Sequence, residues 1–203
     1  MVLNMEWMED LEQDALSRHI PVMQREGLEY MINVLNERKA EKVLEIGSAI
    51  GYSAMMMCKN VPGLTVETIE RDDAAYAEAI DNLKTYGYED RVIIHHADAL
   101  IIDNAELREG PYDLLFIDAA KAQYRKFFEK YMPLVKDDGC VIVDNLDFHG
   151  MVDDIEHIQR RQTRQLVKKI KMFRDWILNN DDYNATYIPA GDGLCLITRK
   201  EKS

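Results

Sequence analysis

The sequence predicts an α/β fold: one open, mostly parallel sheet of seven strands, helices on both faces and a single reversed strand. Three observations carry it. From residue 42 onward, short β-type runs alternate with helical stretches, the mark of repeated strand–helix units. Two of those runs, 114–117 and 141–143, are apolar throughout and stop abruptly at Asp118 and Asp144, as strands buried on both faces do. The last two runs are joined only by Pro189-Ala190-Gly191-Asp192-Gly193. A connection that short makes the final strand antiparallel to its predecessor, since parallel neighbours need a long crossover.

Element by element, residues 5–17 and 23–38 have helical spacing, with Leu28, Met31, Ile32 and Leu35 as an apolar stripe. Strands are expected at 43–46, 64–69, 92–95, 112–117, 140–143, 183–188 and 194–199. Helices are expected at 52–59, at 72–86 ending near Gly87, as a short piece at 101–108, at 122–134 and as a long one at 156–179. Met55-Met56-Met57 reads as helix core. There is no repeat, low-complexity tract or Pro/Gly/Ser linker. One domain over 1–203 follows, with the N-terminal helices of 1–40 as a cap on the substrate or dimer side.

Composition sets the outer bounds. The 203 residues are 47% apolar and 31% charged, ordinary for a globular chain with a sizeable core. Cys58, Cys140 and Cys195 form no CxxC pair and no zinc spacing, which reads as reduced core thiols in a cytoplasmic protein. The acidic start (Glu6, Glu9, Asp10) has no apolar h-region, so no signal peptide is expected. No apolar run nears the roughly 20 residues that span a bilayer, so no membrane partner is expected. Net charge is −12, yet the window 157–174 holds Arg160, Arg161, Arg164, Lys168, Lys169, Lys171 and Arg174 and no acid. That window carries +7, which leaves −19 on the rest.

The two acidic strand ends are the chemical signal. In an open parallel sheet, ligands bind beyond the carboxyl ends of the strands, and neighbouring strands lie roughly 4.8 Å apart. Asp118, Asp144 and Asn145 thus converge on one small volume, where three oxygen donors suit Mg²⁺ or Ca²⁺ rather than zinc. Strand-end caps and turn residues are the plainer alternative.

The first strand runs into Glu45-Ile46-Gly47-Ser48-Ala49-Ile50-Gly51-Tyr52-Ser53. Glycines at such a turn let a ligand approach the backbone closely. Glu70 closes the second strand, 19 residues after Gly51, where a carboxylate can accept from ribose hydroxyls. Asp98-Ala99 follows the third strand, where a base would lie. GxGxxG is absent, and so is a GxxxxGK[ST] loop. No basic residue stands in the turn to meet a diphosphate. A sulfonium cofactor tolerates the acidic surroundings of Glu45, Glu70 and Asp118, which favours S-adenosylmethionine over NAD.

The strings LEIGSAIGYSA, IERD, IDAAKAQY and VDN, in this order and spacing, resemble the cation-dependent class I O-methyltransferases. That family includes catechol and caffeoyl-CoA O-methyltransferases and bacterial relatives, and the likeness runs over residues 20–199. The resemblance implies a Rossmann-like class I methyltransferase fold. It implies Asp118, Asp144 and Asn145 as metal ligands for Mg²⁺ or another divalent cation. Lys121, in a D-x-x-K-x-x-Y pattern with Tyr124, would be the base that takes the substrate proton, with Asp118 beside it in the reaction centre. Val22, Glu45, Gly47, Ser53, Glu70, Asp98, Ala99 and Asp118 would hold S-adenosylmethionine, Val22 only through its backbone. Ala49 departs from the glycine that many members carry there. A homodimer is the family's expectation.

The version IDAAK…VDNLDFHG, with a basic helix after it, most resembles the bacterial tRNA 5-hydroxyuridine methyltransferases. The expected substrate is then 5-hydroxyuridine at the tRNA wobble position, giving 5-methoxyuridine. Arg160, Arg161, Arg164, Lys168 and Lys169 form a candidate phosphate track, which Arg125 and Lys126 extend toward the site. Phe148 and Tyr124 are candidates to stack on a splayed base. His149 and His157 lie near the metal end, His149 as a loop hydrogen-bonder. Two rivals remain. A small catechol-like or caffeoyl-CoA-like phenol offers the same pair of chelating oxygens. A non-catalytic nucleoside- or RNA-binding module would leave the acidic set and Lys121 without a task.

Overall fold

The computed structural model describes residues 5–201. Helix α1 (Glu9–Ser17) and helix α2 (Arg25–Arg38) precede the sheet. The buried stripe of α2 is Leu28, Met31, Ile32 and Leu35, the face the spacing selects. Then follow β1 (Lys42–Ile46), α3 (Tyr52–Asn60), β2 (Thr65–Glu70), α4 (Asp73–Tyr86), β3 (Val92–His96), β4 (Tyr112–Ile117) and α5 (Tyr124–Tyr131). The chain closes with β5 (Val135–Val143), α6 (Arg161–Leu178), β6 (Tyr183–Ile188) and β7 (Leu194–Arg199). Local chemistry sets the helix ends. Asp72 accepts from Ala74 N and Ala75 N at the start of α4, and Gly87 ends it at φ 74°.

The strands form one seven-stranded sheet in the order β3-β2-β1-β4-β5-β7-β6. β1 pairs in parallel with β2 and β4, and β7 runs antiparallel to both β5 and β6. One face packs on α1, α2 and α3 through Leu28, Met31, Ile32, Met55, Met56, Met57 and Val66. The other packs on α5 and α6 through Phe127, Phe128, Val167, Ile170, Phe173 and Ile177. The strand order reverses between β1 and β4, which opens a crevice at their carboxyl ends. All three cysteines are buried and unpaired.

Four expectations need correction. The first helix begins at Glu9 rather than at 5. The fifth strand starts at Val135 rather than at 140, because Tyr112 pairs with Val135 across an irregular register. The helix expected at 101–108 shrinks to one 3₁₀ turn, Asn104–Glu106, capped by Asp103. It ends there because the amides of Arg108 and Glu109 turn to the buried Glu67 carboxylate. The long helix begins at Arg161 rather than at 156, after a separate turn at Ile155–His157. Arg160 is its N-cap and not a helical residue. Residues 1–4 and 202–203, part of the domain expected over 1–203, lie outside the described residues.

Candidate active site

A cleft of about 800 Å³ lies at the carboxyl ends of β1, β2, β4 and β5. Its floor is set by backbone bonds that prolong the ladder past the strands. Asp118 N donates to Ile46 O and Asp144 N to Ile117 O, each across 3.1 Å. Ile117 pairs with Val143, so Asp118 and Asp144 leave neighbouring strands at the same level. Asp144 is 3% exposed. Burial, then each other's charge in the case of Asp144, hold both carboxyls above the ordinary range; Asp192 adds to this and Lys121 opposes it. A buried Asp144 beside a partly exposed Asp118 resists ionisation, and a cation between the two would relieve it.

Asn145 completes the set at φ 60°. Its Nδ2 donates to Asp192 Oδ2 across 3.4 Å, which leaves the amide oxygen as its free donor atom. Two carboxylates and an amide oxygen fit Mg²⁺ or a related hard cation. Among the described residues, no three His, Cys, Asp or Glu side chains gather closely enough to ligate one ion. A three-membered donor set at this place would include the amide. Lys121, in the turn Lys121–Gln123, holds its ammonium 3.9 Å from Asp118 Oδ1.

The opposite end of the cleft gathers the residues expected to hold a nucleoside. Val22, Gly47, Ser53, Glu70, Asp98, Ala99 and Asp118 all line it. Gly47 sits at φ 94°, and a Cβ there would collide with the Asp118 carbonyl, so only glycine lets β1 and β4 close up at this turn. Ala49 holds a left-handed φ of 45°, the strain that a glycine there would avoid. Its amide donates to Glu70 Oε2 across 2.9 Å. The other Glu70 oxygen accepts from Arg71 N and Asp72 N. Glu45 is fully buried and stands behind the wall rather than in it. Ser53 Oγ, which does line the cleft, donates to Glu45 Oε1, while Oε2 has no partner. Burial pushes the Glu45 carboxyl up to about 7.

Two expected site residues are placed otherwise. Tyr124 is 1% exposed and donates its hydroxyl to Asp144 O; packed against Phe173, it has no free face on which a base can stack. His157 is exposed and bonded to Asp154, on the turn before α6. His149 N donates to Asp192 Oδ1 across 2.5 Å, the loop bond expected of that residue. Phe148 and His149 take left-handed φ values of 47° and 57° beside it.

The basic residues divide into two groups. Arg160, Arg161, Lys168 and Lys169 are exposed. Arg164 donates to Ile158 O and braces the loop before α6. Arg125 stacks 4.5 Å above Trp176 and bonds Glu129, and Lys126 is exposed. Lys171 pairs with Asp175, and Arg174 with Asp147 and Asp153. Those acids offset part of the +7 that the window shows in isolation.

Asp192 was not singled out by sequence reasoning. It is 6% exposed, lines the cleft, and tethers both Asn145 and His149. Its signal was the acid between two glycines in the last hairpin. Finding it required knowing that β7 lies beside β5.

Comparison with known proteins agrees with this geometry. The chain is 26% identical over 185 residues to a caffeoyl-CoA O-methyltransferase of Populus kitakamiensis, covering 89% of this chain and 77% of that one. It is 29% identical over 154 residues to a catechol O-methyltransferase of Niastella koreensis, covering 74% and 67%. The crystal structure of a proposed caffeoyl-CoA O-methyltransferase from Staphylococcus aureus superposes with a TM-score of 0.90 at 36% identity, covering 95% of this chain and 91% of that one. Among the described residues no helix is long and apolar enough to cross a membrane. The O-methyltransferase family model matches residues 3–200, and with the crevice, the paired acids and Lys121 in place, the chain belongs to that family.

Proposed function

We propose that the protein transfers a methyl group from S-adenosylmethionine to a hydroxyl whose neighbouring oxygen lets the substrate chelate a divalent cation. The substrate we favour is 5-hydroxyuridine at the wobble position of tRNA, giving 5-methoxyuridine. The observation that supports it is the start of α6. Its first turn holds no acid, and no side chain caps it. Arg160 and Arg161 are exposed there, Lys168 and Lys169 are exposed two turns further along, and no ion pair engages any of the four among the described residues. Cations at the positive end of a helix cost stability unless an anion meets them, and a phosphate backbone is such an anion.

The cleft supports the following roles. Asp118, Asp144 and Asn145 would hold the cation, which when bound would lower the pKa of the chelated hydroxyl. Lys121, once its ammonium has released a proton to solvent, would receive the proton from the hydroxyl oxygen as a neutral amine. The oxygen–methyl bond forms as the sulfur–methyl bond breaks, and the electron pair returns to sulfur. Gly47 admits the cofactor close to the backbone, and Glu70 and Asp98 address its ribose and base. Holding the reactants in line can contribute about 7–11 kcal/mol.

A second reading keeps the chemistry and substitutes a small phenol with two adjacent oxygens. The caffeoyl-CoA and catechol enzymes among the relatives support it. One experiment separates the two. Hydroxylated tRNA, unhydroxylated tRNA and catechol are offered with S-adenosylmethionine, with and without EDTA. EDTA-sensitive methylation of hydroxylated tRNA alone is expected. Fast catechol turnover with an inert tRNA favours the phenol. In cells lacking the protein, unchanged 5-methoxyuridine rules out the tRNA assignment.

A further inference from the structure

The turn that walls the nucleoside end of the cleft does not hold itself in place. Ala97, Asp98, Ala99 and Leu100 line the cleft, while the next residue, Ile101, is 81% exposed. The turn's own bonds are few: Ile101 N and Ile102 N reach Asp98 O, and Leu100 N reaches Asp98 Oδ1. The remaining polar contacts to its carbonyls come from the far end of α5. Lys130 Nζ donates to Ala99 O across 2.9 Å and to Ile102 O across 2.6 Å. Tyr131, fully buried, donates its hydroxyl to the same Ala99 O across 2.6 Å. Asn104 Nδ2 closes the arrangement on Lys130 O. An ammonium drawn into a half-buried place to serve two carbonyls gives charge-assisted bonds, stronger than neutral ones.

The other end of α5 serves the reaction centre. Lys121 lies in the turn that leads into it, and Tyr124 bonds Asp144 O. Phe127, midway along α5, lines the cleft. Seven residues of helix separate Tyr124 from Tyr131, about 10 Å along the axis. One short helix thus braces both the cation end and the nucleoside end.

We propose that Lys130 and Tyr131 are positioning residues for the adenine nucleoside end of the cofactor, acting through the Ala99 carbonyl. They hold the 98–102 turn in its binding shape before the ligand arrives, so the turn need not be ordered on binding. The inference rests on the reading that the cofactor is S-adenosylmethionine.

The test is calorimetric binding of S-adenosylhomocysteine to the full chain and to Lys130→Met, Lys130→Arg and Tyr131→Phe, with Tm for each. Steady-state kinetics in S-adenosylmethionine accompany it. Lys130→Met and Tyr131→Phe are expected to raise Kd about tenfold. KM should rise by a similar factor and kcat should fall less than about twofold, because the reaction end is untouched. Lys130→Arg, which keeps donors for both carbonyls, should restore Kd to within about threefold. Amide exchange at residues 100–102 should quicken in Lys130→Met. Folded Lys130→Met and Tyr131→Phe proteins that bind as tightly as the parent overturn the proposal. So does a kcat that falls in step with Kd and is not rescued by arginine. A parent chain that binds no S-adenosylhomocysteine instead overturns the cofactor reading beneath it.

Discussion

Tyr124 donates its buried hydroxyl to the backbone carbonyl of Asp144 across 2.8 Å. The bond ties α5 to the end of β5, next to the residue expected to carry the cation. Tyr124→Phe leaves that carbonyl unsatisfied and should cost about 1–3 kcal/mol in a urea titration. The Mg²⁺ concentration for half-maximal activity should rise, while activity at saturating Mg²⁺ stays within tenfold. A variant indistinguishable from the parent in both respects would show that the bond positions nothing.

Asp144→Asn should move activity and stability in opposite directions. Burial and the neighbouring Asp118 hold the Asp144 carboxyl above its usual range. In EDTA at pH 8 the amide removes an unfavourable charge, so the variant should be more stable than the parent. Only below about pH 3 is the Asp144 carboxyl protonated in the unfolded chain as well as in the folded one, and there the difference should vanish. Activity with Mg²⁺ should fall by more than the 10–100-fold typical of losing an outer partner of a metal site.

Glu45 gives a second pH signature. Its folded value is about 7, above an ordinary 4.5, because it is fully buried. Below pH 4.5 it is protonated in both states and costs nothing. As pH rises from there the unfolded chain ionises first, and the penalty grows until pH passes about 7. Glu45→Gln, which keeps an acceptor for Ser53, should therefore stabilise the cofactor-free protein at pH 8 by roughly 3 kcal/mol. Near pH 4 it should have little effect. Denaturant midpoints at the two pH values check it, and a pH-independent difference would mean that Glu45 is not neutral in the fold.

Ala49→Gly removes left-handed strain at φ 45°. The strained alanine costs about 1–2 kcal/mol, and glycine's extra freedom when unfolded returns part of that. A net gain of about 0.5–1 kcal/mol is expected. Thermal unfolding measures it, and a lower Tm would refute it.

The exposed basic residues can be tested without disturbing the fold. Arg164 is left in place because it braces Ile158 O. Arg160→Gln, Arg161→Gln and Lys168→Gln together should weaken tRNA methylation about tenfold or more at 0.15 M salt. The salt dependence should lose a slope of about one for each phosphate contact removed. An unchanged kcat/KM on tRNA would remove these residues from the interface.

Much of this fold was legible locally. Apolar runs of strand length, Gly87 after a helical stretch, and acids at the ends of β4 and β5 are short-range signals that period and turn chemistry report. Burial could not be read from residue type alone. Tyr124 looked like a stacking aromatic because it follows Lys121 by one helical turn, and the same geometry drives it under β5. The α6 start was misplaced because basic residues carry helix propensity without marking an N-terminus.

By itself the sequence determined the strand–helix alternation, the seven strands with one reversed, and the acidic set that faces the crevice. These depend on residues near one another in the chain. Only the tertiary structure decided that Asp192 orients Asn145 47 residues away, that Glu45 stands behind Ser53, and that Lys130 reaches back 31 residues to hold Ala99. Each is a contact between elements whose adjacency is set by sheet order and packing, and local periodicity carries no information about it.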